Sequence, residues 1–124
     1  MASNHVQPGK VLDYVNTTQT PIKSGAVVAV GQTLGVALKD IALGATGSVS
    51  VDGVFRVPKV PGAVIAQGES LTWDASVAAF DDNLAVAAVG DVTGASAVAF
   101  EAAGNGVAWL NVKFTGAPGT LKTA

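Results

Sequence analysis

Cysteine is absent from this 124-residue chain and histidine occurs once. The first absence excludes disulfides, thiolate zinc sites and cysteine nucleophiles. The lone His5 stands three residues before Pro8 in a polar terminus, so it cannot build a zinc site without several carboxylates. A Ser-His-Asp arrangement would need that same residue held within hydrogen-bond reach of a nucleophile, which a terminal segment does not provide. Charge of either sign is also scarce: 13% of residues, about half the ~25% of an ordinary soluble domain. The seven basic residues, Lys10, Lys23, Lys39, Arg56, Lys59, Lys113 and Lys122, form no run. A nucleic-acid surface needs a basic stripe that displaces counterions, so no nucleic-acid partner is expected. No apolar run approaches the ~18 residues of a membrane helix, and no membrane partner is expected. The first ten residues, MASNHVQPGK, lack the apolar centre of a signal peptide, which implies synthesis in the cytoplasm.

Two further patterns fail on inspection. Gly9-Lys10 resembles the end of a phosphate-binding loop, but Val11 follows where Ser or Thr is required and no helix pattern comes after it. Asp81-Asp82-Asn83 lacks the alternating oxygen ligands and bend glycine of a calcium loop, and reads as a solvated turn. No catalytic, cofactor or metal residue is therefore assigned.

What the chain has is alanine, valine and glycine, at 22, 20 and 15 residues, and a degenerate internal repeat. Residues 36–51, VALKDIALGATGSVSV, and 98–112, VAFEAAGNGVAWLNV, each run apolar strand, charge, Ala-rich turn, two glycines, second strand. The natural alignment sets Gly44 and Gly47 on Gly104 and Gly106. A weaker echo precedes each copy, Lys23-Ser24-Gly25 and Ala66-Gln67-Gly68. Two loose copies suggest one small domain of two similar halves rather than a solenoid. Mean hydropathy is +0.46. With so little charge to keep copies apart, association with itself or a partner is expected.

The strand pattern is dense. VLDYV (11–15), AVVAV (26–30, buried on both faces) and LGVAL (34–38) come first. SVSVDGVFRV (48–57) alternates as one half-buried strand ended by Pro58. SLTWD (70–74) precedes residues 75–83, a hairpin or loop around Asp81-Asp82-Asn83, and LAVAAV (84–89) reads as another buried strand. Residues 95–103 are Ala-rich and helix-prone, but their repeat mate favours a strand to Phe100. VAWLNVKF (107–114) points Leu110, Val112 and Phe114 one way, with Trp109 and Lys113 the other. The expected fold is all-β: a single-domain β-barrel or sandwich of about seven to nine short strands in two loosely repeated halves. Residues 1–16 form an extended N-terminal arm and first strand, 17–115 the β domain and 116–124 a flexible tail.

Two features carry contact chemistry. Trp109, with Lys113 on the same face, suits an oligomer contact, because tryptophan buries a large area and keeps one donor; alternatively it covers the end of its own barrel. The arm, through Val6, Gln7, Pro8, Lys10, Val11 and Tyr14, could add a strand to a partner's sheet edge, or pair within its own domain.

The segments Val6-Gln7-Pro8-Gly9, Gly47-Ser48-Val49-Ser50-Val51, Gly53-Val54-Phe55-x-Val57-Pro58-Lys59 and Gln67-Gly68-x4-Trp73-Asp74-Ala75 resemble the DUF2190 family of phage and prophage proteins. The resemblance spans about residues 4–114 and departs mainly at 84–103, which are longer and more Ala-rich. It implies a capsid decoration, or cement, protein: an all-β structural subunit on the outer surface of a phage head. The implied partners are the major capsid protein and further copies of the chain, with a trimer favoured. The alternative is a small β-rich module displayed on the virion that binds carbohydrate or a host surface. Neither implies an enzyme or a cofactor.

Overall fold

The computed structural model describes residues 9–124. Among them are eleven strands and no helix, so no helix is long and apolar enough to cross a membrane. The strands are β1 (Val11–Val15), β2 (Val27–Val30), β3 (Thr33–Ala37), β4 (Thr46–Ser50), β5 (Asp52–Pro58), β6 (Thr72–Asp74), β7 (Ala79–Asp81), β8 (Val92–Thr93), β9 (Ala97–Ala99), β10 (Trp109–Thr115) and β11 (Thr120–Leu121). They form three sheets, ordered β1-β4-β3-β2, β5-β10-β9 and β11-β8-β6-β7. The all-β expectation holds, with more and shorter strands than the sequence pattern suggests.

The internal repeat is structural. In the first half β1 pairs with β4 from Val11↔Ser50 to Val15↔Thr46; in the second, β5 pairs with β10 at the corresponding Val54↔Lys113 and Pro58↔Trp109. Val27↔Val36 between β2 and β3 recurs as the bridge Ser70↔Val98. The bridge Ile22↔Ile41 recurs as Ile65↔Ala103. Even turn bonds match. Just after Gly44 the Ala45 amide donates to Ala42 O at 3.0 Å, and just after Gly106 the Val107 amide donates to Gly104 O at 3.3 Å. Both glycines have positive φ, +73° and +91°, a region that costs a side-chain-bearing residue. Gly44 therefore corresponds to Gly106, not to Gly104, and Gly47 corresponds to Leu110 through their cross-strand partners Tyr14 and Val57. Backbone conformation decides this alignment, whereas glycine spacing alone suggested another.

The halves differ in one large insertion. The two-residue turn Gly31-Gln32 between β2 and β3 becomes residues 74–94 in the second half, carrying β7 and β8. Two expectations are corrected here. The hairpin expected over 75–83 is present but turns at residues 75–78 rather than around Asp81-Asp82-Asn83, because Asp81 ends β7 and pairs with Thr72. LAVAAV (84–89) forms no strand and is not buried: Leu84 is 86% exposed and Val86 95%. A third correction concerns residues 48–57, which are two strands. The chain leaves β4 at Ser50, buries Val51 and enters β5 in another sheet.

The larger core joins both halves. Leu34 and Val36 meet Val57, Leu71, Leu110 and Val112. An aromatic chain crosses it, Trp73–Phe80 at 5.0 Å between centroids, Phe80–Phe114 at 6.0 Å and Phe55–Phe114 at 5.9 Å. Buried Ser96 links the halves: its Oγ accepts from Leu34 N at 2.7 Å, while its carbonyl accepts from Thr115 N. A smaller core, Val28, Ala37, Ile41, Val49 and Val51, fills the curl of the first sheet. Both faces of β2 are thus covered, as its unbroken apolar sequence suggests. Within residues 116–124, Thr120–Leu121 pair with β8, and the Gly119 amide donates to Gln32 O.

Candidate binding surface

Strand alternation turns Leu110, Val112 and Phe114 of β10 into the core, so Trp109, Asn111 and Lys113 point outward. β5 runs antiparallel beside it, and the register sets Pro58 opposite Trp109, Arg56 opposite Asn111 and Val54 opposite Lys113. Trp109 is 47% exposed. The Arg56 guanidinium carbon lies 5.1 Å from its ring centroid, within cation–π range. Lys113 Nζ lies 3.6 Å from Asp52 Oδ1. Two grooves, of about 350 and 300 Å3, flank this pair, and each is lined by both Arg56 and Trp109. One runs along residues 101–104 and 107–108; the other lies against Ala26, Val27 and Pro58. The structure therefore brings Trp109 and Lys113 onto one open face and adds Arg56, which the sequence reading passed over as a scattered charge.

The arm residues fall elsewhere. Val6, Gln7 and Pro8 lie outside the described residues. Lys10 is exposed, and its carbonyl accepts from Val51 N at 2.8 Å. β1 pairs with β4 in its own domain, so VLDYV already has a sheet to belong to. Leu12 and Tyr14 turn inward and pack on the smaller core, while Val11 and Val15 turn outward. Tyr14 thus acts first as a packing residue.

Two buried polar residues were not found from the sequence. Asn16 Nδ2 donates to Thr20 O (3.0 Å) and Ile41 O (3.1 Å). Lys59 Nζ donates to Val60 O (2.9 Å), Pro61 O (3.2 Å) and Val107 O (3.0 Å). They occupy corresponding places: the Asn16 amide donates to Ala45 O and the Lys59 amide to Ala108 O. Each knots its half's glycine turn to the strand beside it. The sequence signal was available in Lys59, a charge between Pro58 and Pro61 in an otherwise apolar stretch. Its role is structural, since it is 2% exposed.

Among the described residues no group of three or more His, Cys, Asp or Glu is placed to hold a metal ion. Asp81 and Asp82 bond local backbone where β7 gives way to the following loop, Asp81 Oδ1 accepting from Asp82 N and Asp82 Oδ1 from Leu84 N. The arrangement is a β scaffold with an exposed aromatic–cation face, that of a structural subunit. Comparison with known families agrees: the model for phage cement protein matches residues 6–122, and this chain belongs to that family. Its role is structural, on a phage capsid. No curated protein matches the chain.

Proposed function

We propose that the protein binds the outer surface of a phage head, contacts the major capsid protein lattice and stabilises the assembled shell without catalysing a reaction. The observation that carries this reading is the family match over nearly the whole chain, residues 6–122. It is supported by the open Trp109–Arg56 face and by low surface charge. The protein is made in the host cytoplasm and acts as a small homo-oligomer, a trimer at local three-fold positions, with Trp109 and Lys113 at the contact between copies. The N-terminal segment, through Val6, Gln7, Pro8, Lys10 and Val11, reaches the capsid. The reading is supported by β1, which follows this segment and is an end strand of its sheet.

Purified protein mixed with empty heads tests this by sedimentation. Co-sedimentation is expected; none at any salt concentration would overturn the proposal. Because the ligand binds only the assembled shell, decorated heads should melt at higher temperature than bare ones. Equal melting would remove the cementing role. Deleting residues 1–8 should leave a folded domain with weaker capsid binding.

A further inference from the structure

The insertion in the second half holds the two most exposed large apolar side chains of the described residues, Leu84 and Val86, together with Val89 and, on the turn at 75–78, Val77. Scattered surface valines are ordinary, but a cluster of this exposure marks a contact site. Hydrogen bonds tie down both ends of the loop. Buried Asp91 reaches both segments, Oδ1 accepting from Ala75 N (3.1 Å) and Oδ2 from Ala88 N (2.9 Å). Glu69 Oε2 accepts from Asn83 N (2.9 Å), and the Gly90 amide donates to Lys122 O (3.0 Å). A loop pinned in this way loses less freedom when it docks, which favours binding.

Charge says what covers it. Residues 74–91 carry Asp74, Asp81, Asp82 and Asp91 and no lysine or arginine. The groove of about 300 Å3 beside Trp109 has the opposite character: Ala26, Val27 and Pro58 give it an apolar wall, Lys23 and Arg56 are its only charges, and no acid lines it. Lys23 is held only loosely, 4.0 Å from Asp40 Oδ2, and both are exposed. An apolar tip with an acidic base matches an apolar groove with a basic rim. We propose that residues 82–90 of one copy dock into the groove beside Trp109 of a second copy of this chain. Ala78 of the turn at 75–78 lines one edge of the groove, but no residue of 82–90 does, so the contact is head-to-tail and can close into a ring. The inference rests on the self-association stated above and deepens it.

The test uses purified full-length protein without capsids, in sedimentation equilibrium. The L84D/V86D double variant and Trp109→Ala should each weaken self-association by at least about thirty-fold, as loss of a contact centre does. Arg56→Glu, on an exposed side chain, is a second groove variant should Trp109→Ala disturb folding, which circular dichroism reports. Mixing the loop variant with a groove variant should restore a one-to-one pair and no larger species, since one intact loop meets one intact groove. A wild-type chain that stays monomeric, variants that assemble normally, or a mixture that fails to pair would each overturn the proposal. Sedimentation of the same loop variant with empty heads separates the other occupant. Normal self-association with lost capsid binding would assign the loop to the lattice, refuting self-docking while leaving the cement function intact.

Discussion

The two halves share one hydrogen-bond plan and divide the work differently. Where the first half sets Asp13 opposite Ser48 and Val15 opposite Thr46, the second sets Arg56 opposite Asn111 and Pro58 opposite Trp109. A two-residue turn in one half is a long, apolar, pinned excursion in the other. The backbone scheme tolerates this because its bonds run between main-chain groups and a few turn glycines. Outward side chains and one hairpin tip are then free to differ. Scaffold is what the halves have in common; the most exposed apolar side chains and the Trp109–Arg56 pair are in the second.

The largest predicted effect tests the buried knots. Lys59→Met keeps the apolar stem and removes an ammonium that serves three carbonyls. It should cost about 3 kcal/mol or more, because buried acceptors lose their donor. Asn16→Ala, at the corresponding place, should cost less, about 2 kcal/mol. Urea unfolding of the two variants compares them, and an Asn16 loss equal to or above that of Lys59 would break the ranking.

A second, somewhat smaller effect concerns exchanged volume. In the first half Gly47 lies under the Ile41 side chain, and a Cβ there would overlap it. The second half has the reverse allocation at the corresponding positions, with Leu110 in the larger core and Ala103 packed against that core. Gly47→Leu alone should therefore destabilise by about 2 kcal/mol through overpacking. Combined with Ile41→Ala, it should recover at least about 1 kcal/mol relative to additivity, the coupling expected of touching residues. Strict additivity in denaturant melts would mean that these pairs are not interchangeable.

The surface pair should matter less. Arg56→Ala removes an exposed cation–π contact and should cost about 0.5–1 kcal/mol of fold stability, while Asp13→Ala, its first-half counterpart, should cost almost nothing. The smallest effect is expected at the insertion tip. Val86→Ser should move stability by no more than about 0.5 kcal/mol, since that side chain touches solvent. A larger loss would show that the loop packs on its own domain in solution.

Much of this molecule was legible in its residues. The absences exclude thiol chemistry, and the GVFxVPK and QGx4WDA segments point to the family. Period-two alternation placed β10 with its correct inward face, and the breakers Pro8-Gly9, Ser24-Gly25 and Pro58 bounded β1, β2 and β5. These signals are local, so a linear reading captures them. Burial is not local. LAVAAV and AVVAV are equally apolar runs, yet AVVAV finds β3 beside it and cores on both sides. LAVAAV has Asp82 and Asp91 accepting its amides and stands in solvent. Nothing within six residues distinguishes the two. The same limit hid the break at Val51, where alternation continues while the chain changes sheets. It also hid the equivalence of Asn16 and Lys59, which have different side chains and share only what their backbones bond. By itself the sequence determined the class, most of the strands and the family. Only the tertiary structure decided which apolar run faces water and which lone charge is buried, because both depend on partners far along the chain.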